Sequence, residues 1–276
     1  MGEESEETTD SDSEDVTWSW QCQHGCKQLR KIQFLAIAWV LGSFKHIINP
    51  SIPYITNSFF AIPHGGGDCE RFPKSHPCQQ GATDAAFWHS IAEAISHLFA
   101  MPTAIALGSL SDHVGRLPFV KAAALLSAVV LGALAAHVQF GVTLWVYLVA
   151  NPLVEAFDCN GVFVAIMLDV QHIIPEQRER TAAWSMFAVL FVPLLVAQMV
   201  AGFLIPRRHA MTVALLFTGA HLLWVCFAYP ETAKLASGKQ KVHVLTVFRD
   251  VKRVFLRNTF IQRMALIVAL GGFSSG

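Results

Sequence analysis

Six runs of about twenty apolar residues dominate this sequence, near 32–55, 85–107, 118–138, 143–167, 182–205 and 210–229. A bilayer's hydrocarbon core is about 30 Å thick, and a helix needs about 20 residues to cross it. In lipid, every backbone N–H and C=O must find its partner within the protein, which leaves helices or a closed barrel. None of the runs alternates apolar and polar residues as a strand would, so the expected fold is an all-α integral membrane protein. The expected organisation has four parts: an acidic disordered cytoplasmic tail (1–30), a six-helix transmembrane bundle (31–229), a basic cytoplasmic loop with an amphipathic helix (230–258), and a truncated seventh helix (259–276).

Composition narrows the functional classes. Only 14% of residues are charged and 53% are hydrophobic, whereas about a quarter of a soluble domain is charged. A disordered protein, a disulfide scaffold and an ordinary soluble enzyme are excluded. The net charge of zero hides a split, because residues 1–15 hold eight acids and no base. The body therefore carries the opposite excess, as expected for a membrane protein with a solvated tail. No basic patch interleaved with aromatics appears, which argues against nucleic acid as a partner. The acidic start has no apolar core and is not a signal peptide. Glu6 occupies the position where a myristoylation signal needs Ser or Thr. Ser5, Ser11 and Ser13 stand among acids, as phosphorylation sites often do, but a solvated tail is a sufficient account of the segment.

Lys and Arg set the expected orientation, since basic residues favour the cytoplasmic side. With the N-terminus inside, fourteen bases from Lys27 to Arg257 fall on the cytoplasmic side and four (Arg71, Lys74, Arg207, Arg208) on the other. Val242–Arg257 has the spacing of an amphipathic helix lying on the inner membrane surface. The first loop, about 56–84, then faces outward, where Cys69 and Cys78 are candidates for a disulfide. Cys22-x-His24-x-Cys26 lacks the second pair that a structural zinc site needs, so no metal is expected. The plasma membrane is the default location.

Between the second and third runs stands Gly108-Ser109-Leu110-Ser111-Asp112-His113-Val114-Gly115-Arg116-Leu117-Pro118. On physical grounds this is a tight turn: two glycines permit unusual backbone, and Pro118 suits the first turn of the next helix. The run also resembles the signature of the major facilitator superfamily, Gly-x-Leu-(Ser/Ala)-Asp-x-x-Gly-Arg-(Arg/Lys), at Gly108, Leu110, Ser111, Asp112, Gly115 and Arg116. Leu117 departs from it at the second basic position. Leu168-Asp169-Val170 with Pro175–Arg180, and Tyr229-Pro230-Glu231-Thr232, are similar to that family's loops after its fourth and sixth helices. The arrangement looks like the branch holding tetracycline-efflux proteins, hippocampus-abundant-transcript proteins and the proton-coupled folate carrier. The resemblance implies an N-terminal six-helix bundle plus the start of a second half, with the missing half as partner. It further implies that Asp112 and Arg116 latch one conformation, and that transport proceeds by rocking around a central site. Phe157 stands where drug–proton antiporters carry an Arg, and Val192–Ala197 keeps only the proline of their fifth-helix motif. The resemblance therefore favours uniport or symport. The stop at Gly276, inside an apolar run, is expected of a fragment.

Ionisable groups at membrane depth are costly and need an account. Lys45, with His46, Asn49 and Pro50 after it, lies deep in the first run. It reads as a snorkelling side chain or as a paired or substrate-contacting one. In the second run His89, Glu93, Ser96 and His97 form one helical stripe, and in the fourth Asn151, Glu155 and Asp158 form another. Three acids face one base, so an acid held neutral and able to carry a proton is one reading, and a structural Lys45–acid pair is the other. The candidate substrate or proton site is therefore Lys45, His46, Asn49, His89, Glu93, Asn151, Glu155 and Asp158. A secondary transporter of a small organic solute, surrounded by membrane lipid, is the expected function. No Walker-type run, nucleophile elbow or His-x-x-x-His appears, so neither ATP-driven transport nor an enzyme or cofactor is expected. A transport-inactive membrane scaffold is the alternative.

Overall fold

The structure is a computed structural model that describes residues 18–157, 170–171 and 173–232, with Arg257 and Arg263 as isolated helical residues. Among the described residues every regular element is a helix. In chain order these are α1 (Trp18–Lys31), α2 (Gln33–Ser43), a 3-10 segment (Phe44–Ser51), α3 (Ile52–Ala61) and a 3-10 turn (Ile62–His64). Then follow α4 (His76–Val114), α5 (Leu117–Phe140), α6 (Trp145–Glu155), α7 (Gln177–Leu204) and α8 (Arg207–Phe227). Four stretches are long and apolar enough to cross a membrane: His76–Gly108 of α4, α5, α7 and α8.

The first expected span is not one straight helix. It passes through a 3-10 segment, and at its start, at Ile32, the stretch Gln33–His64 meets Gln23–Lys31 of α1 at 84°; only as one broken span would that pair add a fifth crossing. Pro50 lies inside the 3-10 segment, where it cannot donate a backbone hydrogen bond. The α-helical ladder therefore gives way to 3-10 geometry between α2 and α3, a break of the kind that often marks a functional hinge. Two helices close around it. A Cβ on Gly202 of α7 would overlap the Ile47 carbonyl oxygen, so only glycine lets the two backbones approach this closely. Nearby, buried Gln198 donates to Ser43 Oγ at 3.0 Å. From α8, Phe217 stacks on Phe44 with ring centroids 3.8 Å apart.

Residues 18–30 correct the expectation of a tail extending to 30. They belong to α1, whose buried Gly25 and Gln28 line up with Leu29 and Ile32. A Cβ on Gly25 would overlap Met186 of α7. The opposite stripe, Gln23, Cys26, Lys27, Arg30 and Lys31, is exposed. Gly25, Gln28, Leu29 and Ile32 form the i, i+3, i+4, i+7 face of a short surface helix. Lys31 and Arg30 suit its C-terminal dipole. Of the fourth expected span, only α6 and the two residues after it are described. The rest of that run, the amphipathic Val242–Arg257 segment and the seventh run lie outside the described residues, apart from the two isolated arginines.

Among the described residues the core has two large clusters, with Ala61, Cys69 and Cys78 as a small third. Ile32, Leu35, Leu107, Val120, Ile174 and Val225 belong to one, at the end where α4 turns into α5. Ile47, Ile55, Leu131, Leu134, Leu144 and Met211 belong to the other, at the end carrying Cys69 and Cys78. We call these the turn end and the disulfide end.

Candidate functional site

A cavity of about 590 Å³ opens at the disulfide end between the broken first helix, α4, α5 and α6. Its wall brings together six of the eight residues read from the sequence: Lys45, His46 and Asn49 from the break, His89 from α4, and Asn151 and Glu155 from α6. Chain direction sorts the wall by depth. The first helix runs outward from Lys45 to Phe60, α4 inward from Ala82 to Ala92, α5 outward from Ser127 to Leu134, and α6 inward from Tyr147 to Glu155. The inner part of the wall, the floor, carries Lys45, His46, Asn49, His89, Asn151 and Glu155, and the outer part mixes Phe60, Leu134 and Leu148 with Thr56, Asn57 and Tyr147. On the floor the Asn49 amide lies 3.1 Å from His46 Nδ1.

Glu93 lies one turn beyond His89 on α4, half-buried and outside this wall, and Asp158 lies outside the described residues. Ser96 is buried and His97 exposed, so the α4 stripe does not continue as wall. Asn57, Trp88 and Tyr147 are wall residues that sequence reasoning missed. Asn57 was findable, because Asn49, Pro53 and Asn57 follow one another at i, i+4 and i+8 on a single helical face. Trp88 carried no such signal, because an aromatic in an apolar run reads equally well as facing lipid. Its ring meets Trp145 edge-on with centroids 5.0 Å apart, and Phe60 meets the same ring at 5.9 Å.

Above the cavity, the first loop is shorter than its sequence suggests, because α3 extends to Ala61 and α4 begins at His76. Cys69 and Cys78 are joined by a disulfide and buried against Ala61. His64 Nε2 lies 2.8 Å from Asp84 Oδ2, which links the end of α3 to α4. The Arg207 guanidinium at the start of α8 donates to the Glu70 carboxylate inside the disulfide loop.

The signature-like turn occupies the other end. Ser111 is fully buried and its hydroxyl donates to the Gly108 carbonyl at 2.9 Å. Gly115 ends α4 at φ +98°, and a Cβ there would stand 2.6 Å from a Glu231 carboxylate oxygen. Both conditions call for glycine. The Arg116 and Leu117 backbone N–H groups donate to Glu231 Oε1 and Oε2 at 3.0 and 3.1 Å. Glu231 thereby caps the N-terminus of α5 and places a negative charge at its positive dipole end. No local pattern announces this role, since the cap comes from more than a hundred positions away. Arg116 is buried and Leu110 half-buried. Asp112 lies in the last turn of α4, and its side chain falls outside the described residues.

Among the described residues no three His, Cys, Asp or Glu side chains converge in a way that could hold a metal ion. The arrangement offers a partly polar space with room for a small solute. Comparison with family models, curated proteins and solved structures finds no match to the chain.

Proposed function

We propose that the chain is the N-terminal half, with the start of the second half, of a secondary transporter of the major facilitator type. The cavity would be its part of the solute site. The observation that carries this reading is the convergence of six polar residues, taken from three separate apolar runs, on one cavity beside a broken helix. Polar side chains at membrane depth are retained where they face a pathway, and broken helices are how transporters place backbone polarity there. The N-terminus would lie in the cytoplasm, with the turn end inside and the disulfide outside, in the plasma membrane by default. Uniport and symport are both consistent with the wall, and Glu155 is the carboxyl placed to carry a proton in a symporter. The second half of the bundle, facing this cavity, is the partner that the reading requires.

Solute uptake into proteoliposomes holding the full-length gene product tests the proposal. Saturable uptake is expected, with Asp112→Asn slowing it at unchanged expression. Glu155→Gln should flatten its pH dependence if transport is proton-coupled. Absence of uptake across a broad panel of organic solutes would favour the scaffold reading instead.

A further inference from the structure

Helix α1 lies across the turn end, where Leu29 and Ile32 join the apolar cluster. Its other face is exposed and carries Lys27, Arg30 and Lys31 beside Cys26. The three cations crowd one another. Lys27 and Lys31 are i,i+4 neighbours and Lys27 and Arg30 are i,i+3, spacings at which like charges destabilise a helix. Nothing within the helix offsets them, because Trp18–Lys31 contains no acid. Among the described residues none of the three forms an ion pair, not even with Glu176 or Glu179 near the start of α7, against which α1 packs. Two residues ahead of α1 the chain holds the opposite excess: positions 1–15 carry eight acids and no base.

We infer that the acidic segment 1–15 folds back onto the exposed face of α1 and pairs its carboxylates with Lys27, Arg30 and Lys31. The chain is long enough. Lys31 stands about 20 Å along the helix from Trp18 at about 1.5 Å per residue, and fifteen extended residues span about 50 Å. Glu3, Glu4, Glu6 and Glu7 therefore reach both lysines after a reversal at Val16–Thr17. The tether makes the pairing intramolecular, with an effective concentration on the order of mM for a short link. One exposed ion pair contributes little, but several charges meeting on one face form a network. Anionic lipid headgroups suit the same three cations, yet they would leave the segment's own charge beside a negative surface with no counter-charge. Pairing the segment with α1 answers both excesses at once. So docked, it shields α1 from anionic lipid, and phosphate on Ser5, Ser11 or Ser13 strengthens the shield. The contact belongs to the turn end and is independent of what the cavity at the disulfide end binds.

A zero-length carbodiimide cross-linker tests the contact, because it joins a carboxylate to an amine only where the two touch. The full chain is treated in phosphatidylcholine nanodiscs, one copy per disc, and the amide links are mapped by mass spectrometry. At low salt, links from acids in 1–15 to Lys27 and Lys31 are expected, with few to Lys121 on α5 and none to Lys74 at the disulfide end. In about 1 M salt, where the Debye length is about 3 Å, their yield should fall about fivefold. Arg30→Gln leaves both lysines in place and should lower the yield about two- to fivefold, the fold-change of one exposed ion pair, while Arg30→Lys restores it. Cover of the face is read separately at Cys26. Its alkylation by N-ethylmaleimide should run at least about threefold faster when Glu3, Glu4, Glu6 and Glu7 are all changed to Gln, which removes the tethered ligand. Discs containing phosphatidylserine should leave the links in place. Lys27 and Lys31 linked no more often than Lys121, or a yield indifferent to both salt and Arg30→Gln, would overturn the inference. Links lost in phosphatidylserine discs, with Cys26 still covered in the glutamine variant, would overturn it too and give the face to lipid.

Discussion

At the turn end, Ile32, Leu107, Val120, Ile174 and Val225 fill the space between the helices. At the disulfide end the same α4 and α5 stand around a cavity of about 590 Å³. The ends also differ in how they are fastened. The turn end is closed by a carboxylate cap and tight apolar packing, in which Phe34 meets Tyr229 edge-on at 5.2 Å. The disulfide end is tied around its rim by a covalent bridge, the His64–Asp84 pair and the Arg207–Glu70 pair. The difference shows where the fold can accommodate polar side chains. Where apolar packing fills the space, a buried polar group must find its partner within the protein, as the Ser111 hydroxyl does on the Gly108 carbonyl; where the helices part, Lys45 and Glu155 face a cavity instead. Rim ties hold the helices at a fixed distance without filling the space between them, so an end built in this way can be both hollow and ordered.

Four variants would break or sharpen this contrast, taken from the largest expected effect to the smallest. Gly202→Val forces α7 off the Ile47 carbonyl, and overpacking of this kind costs about 3 kcal/mol. A large fall in melting temperature in detergent is expected, with hydrogen exchange accelerating across 44–51. Cys69→Ala with Cys78→Ala releases the loop between them and should cost about 2–3 kcal/mol by the loop-entropy relation. Faster exchange should be confined to the rim near 59–66; an equal change at 116–121 would show that the two ends are not independent. Glu231→Ala removes two hydrogen bonds from the start of α5 and should cost about 1–2 kcal/mol, as loss of a helix cap does. Here exchange should rise at 116–121 and leave the rim alone. Arg207→Ala breaks a rim ion pair whose Glu70 partner is 63% exposed, so a change of at most ~1 kcal/mol is expected. A larger loss would make that pair a principal tie of the rim.

The sequence made the long elements legible because their signal is local. The runs predicted at 118–138, 182–205 and 210–229 correspond to α5, α7 and α8 with boundary shifts of a few residues. The shared place of Cys69 and Cys78 in one outward-facing loop was enough to nominate the pair that the structure joins. Polar stripes nominated six of the polar residues in the cavity wall, since a helix sets the face on which residues four apart lie. Three features stayed hidden, each for a physical reason. Hydropathy averages over a window, so a Pro50 break inside an apolar run looks like continuous span. Helix α1 is too polar to register as a span and was absorbed into the acidic segment before it. The Glu231 cap depends on tertiary proximity, and no periodicity in the chain encodes it. Whether Asp112 acts as a latch is a question for the transport assay.

The Glu231 cap has a consequence for biosynthesis. Ribosomes deliver the chain from its N-terminus, so the α4–α5 hairpin emerges more than a hundred residues before the carboxylate that satisfies its turn. Until then the Arg116 and Leu117 amides must rely on water, and the hairpin sits in the bilayer with its turn unfinished. Completion of α8 therefore delivers more than another helix: it closes the turn end. A nascent chain arrested before residue 231 should hold that turn in a state still open to solvent and to quality-control factors.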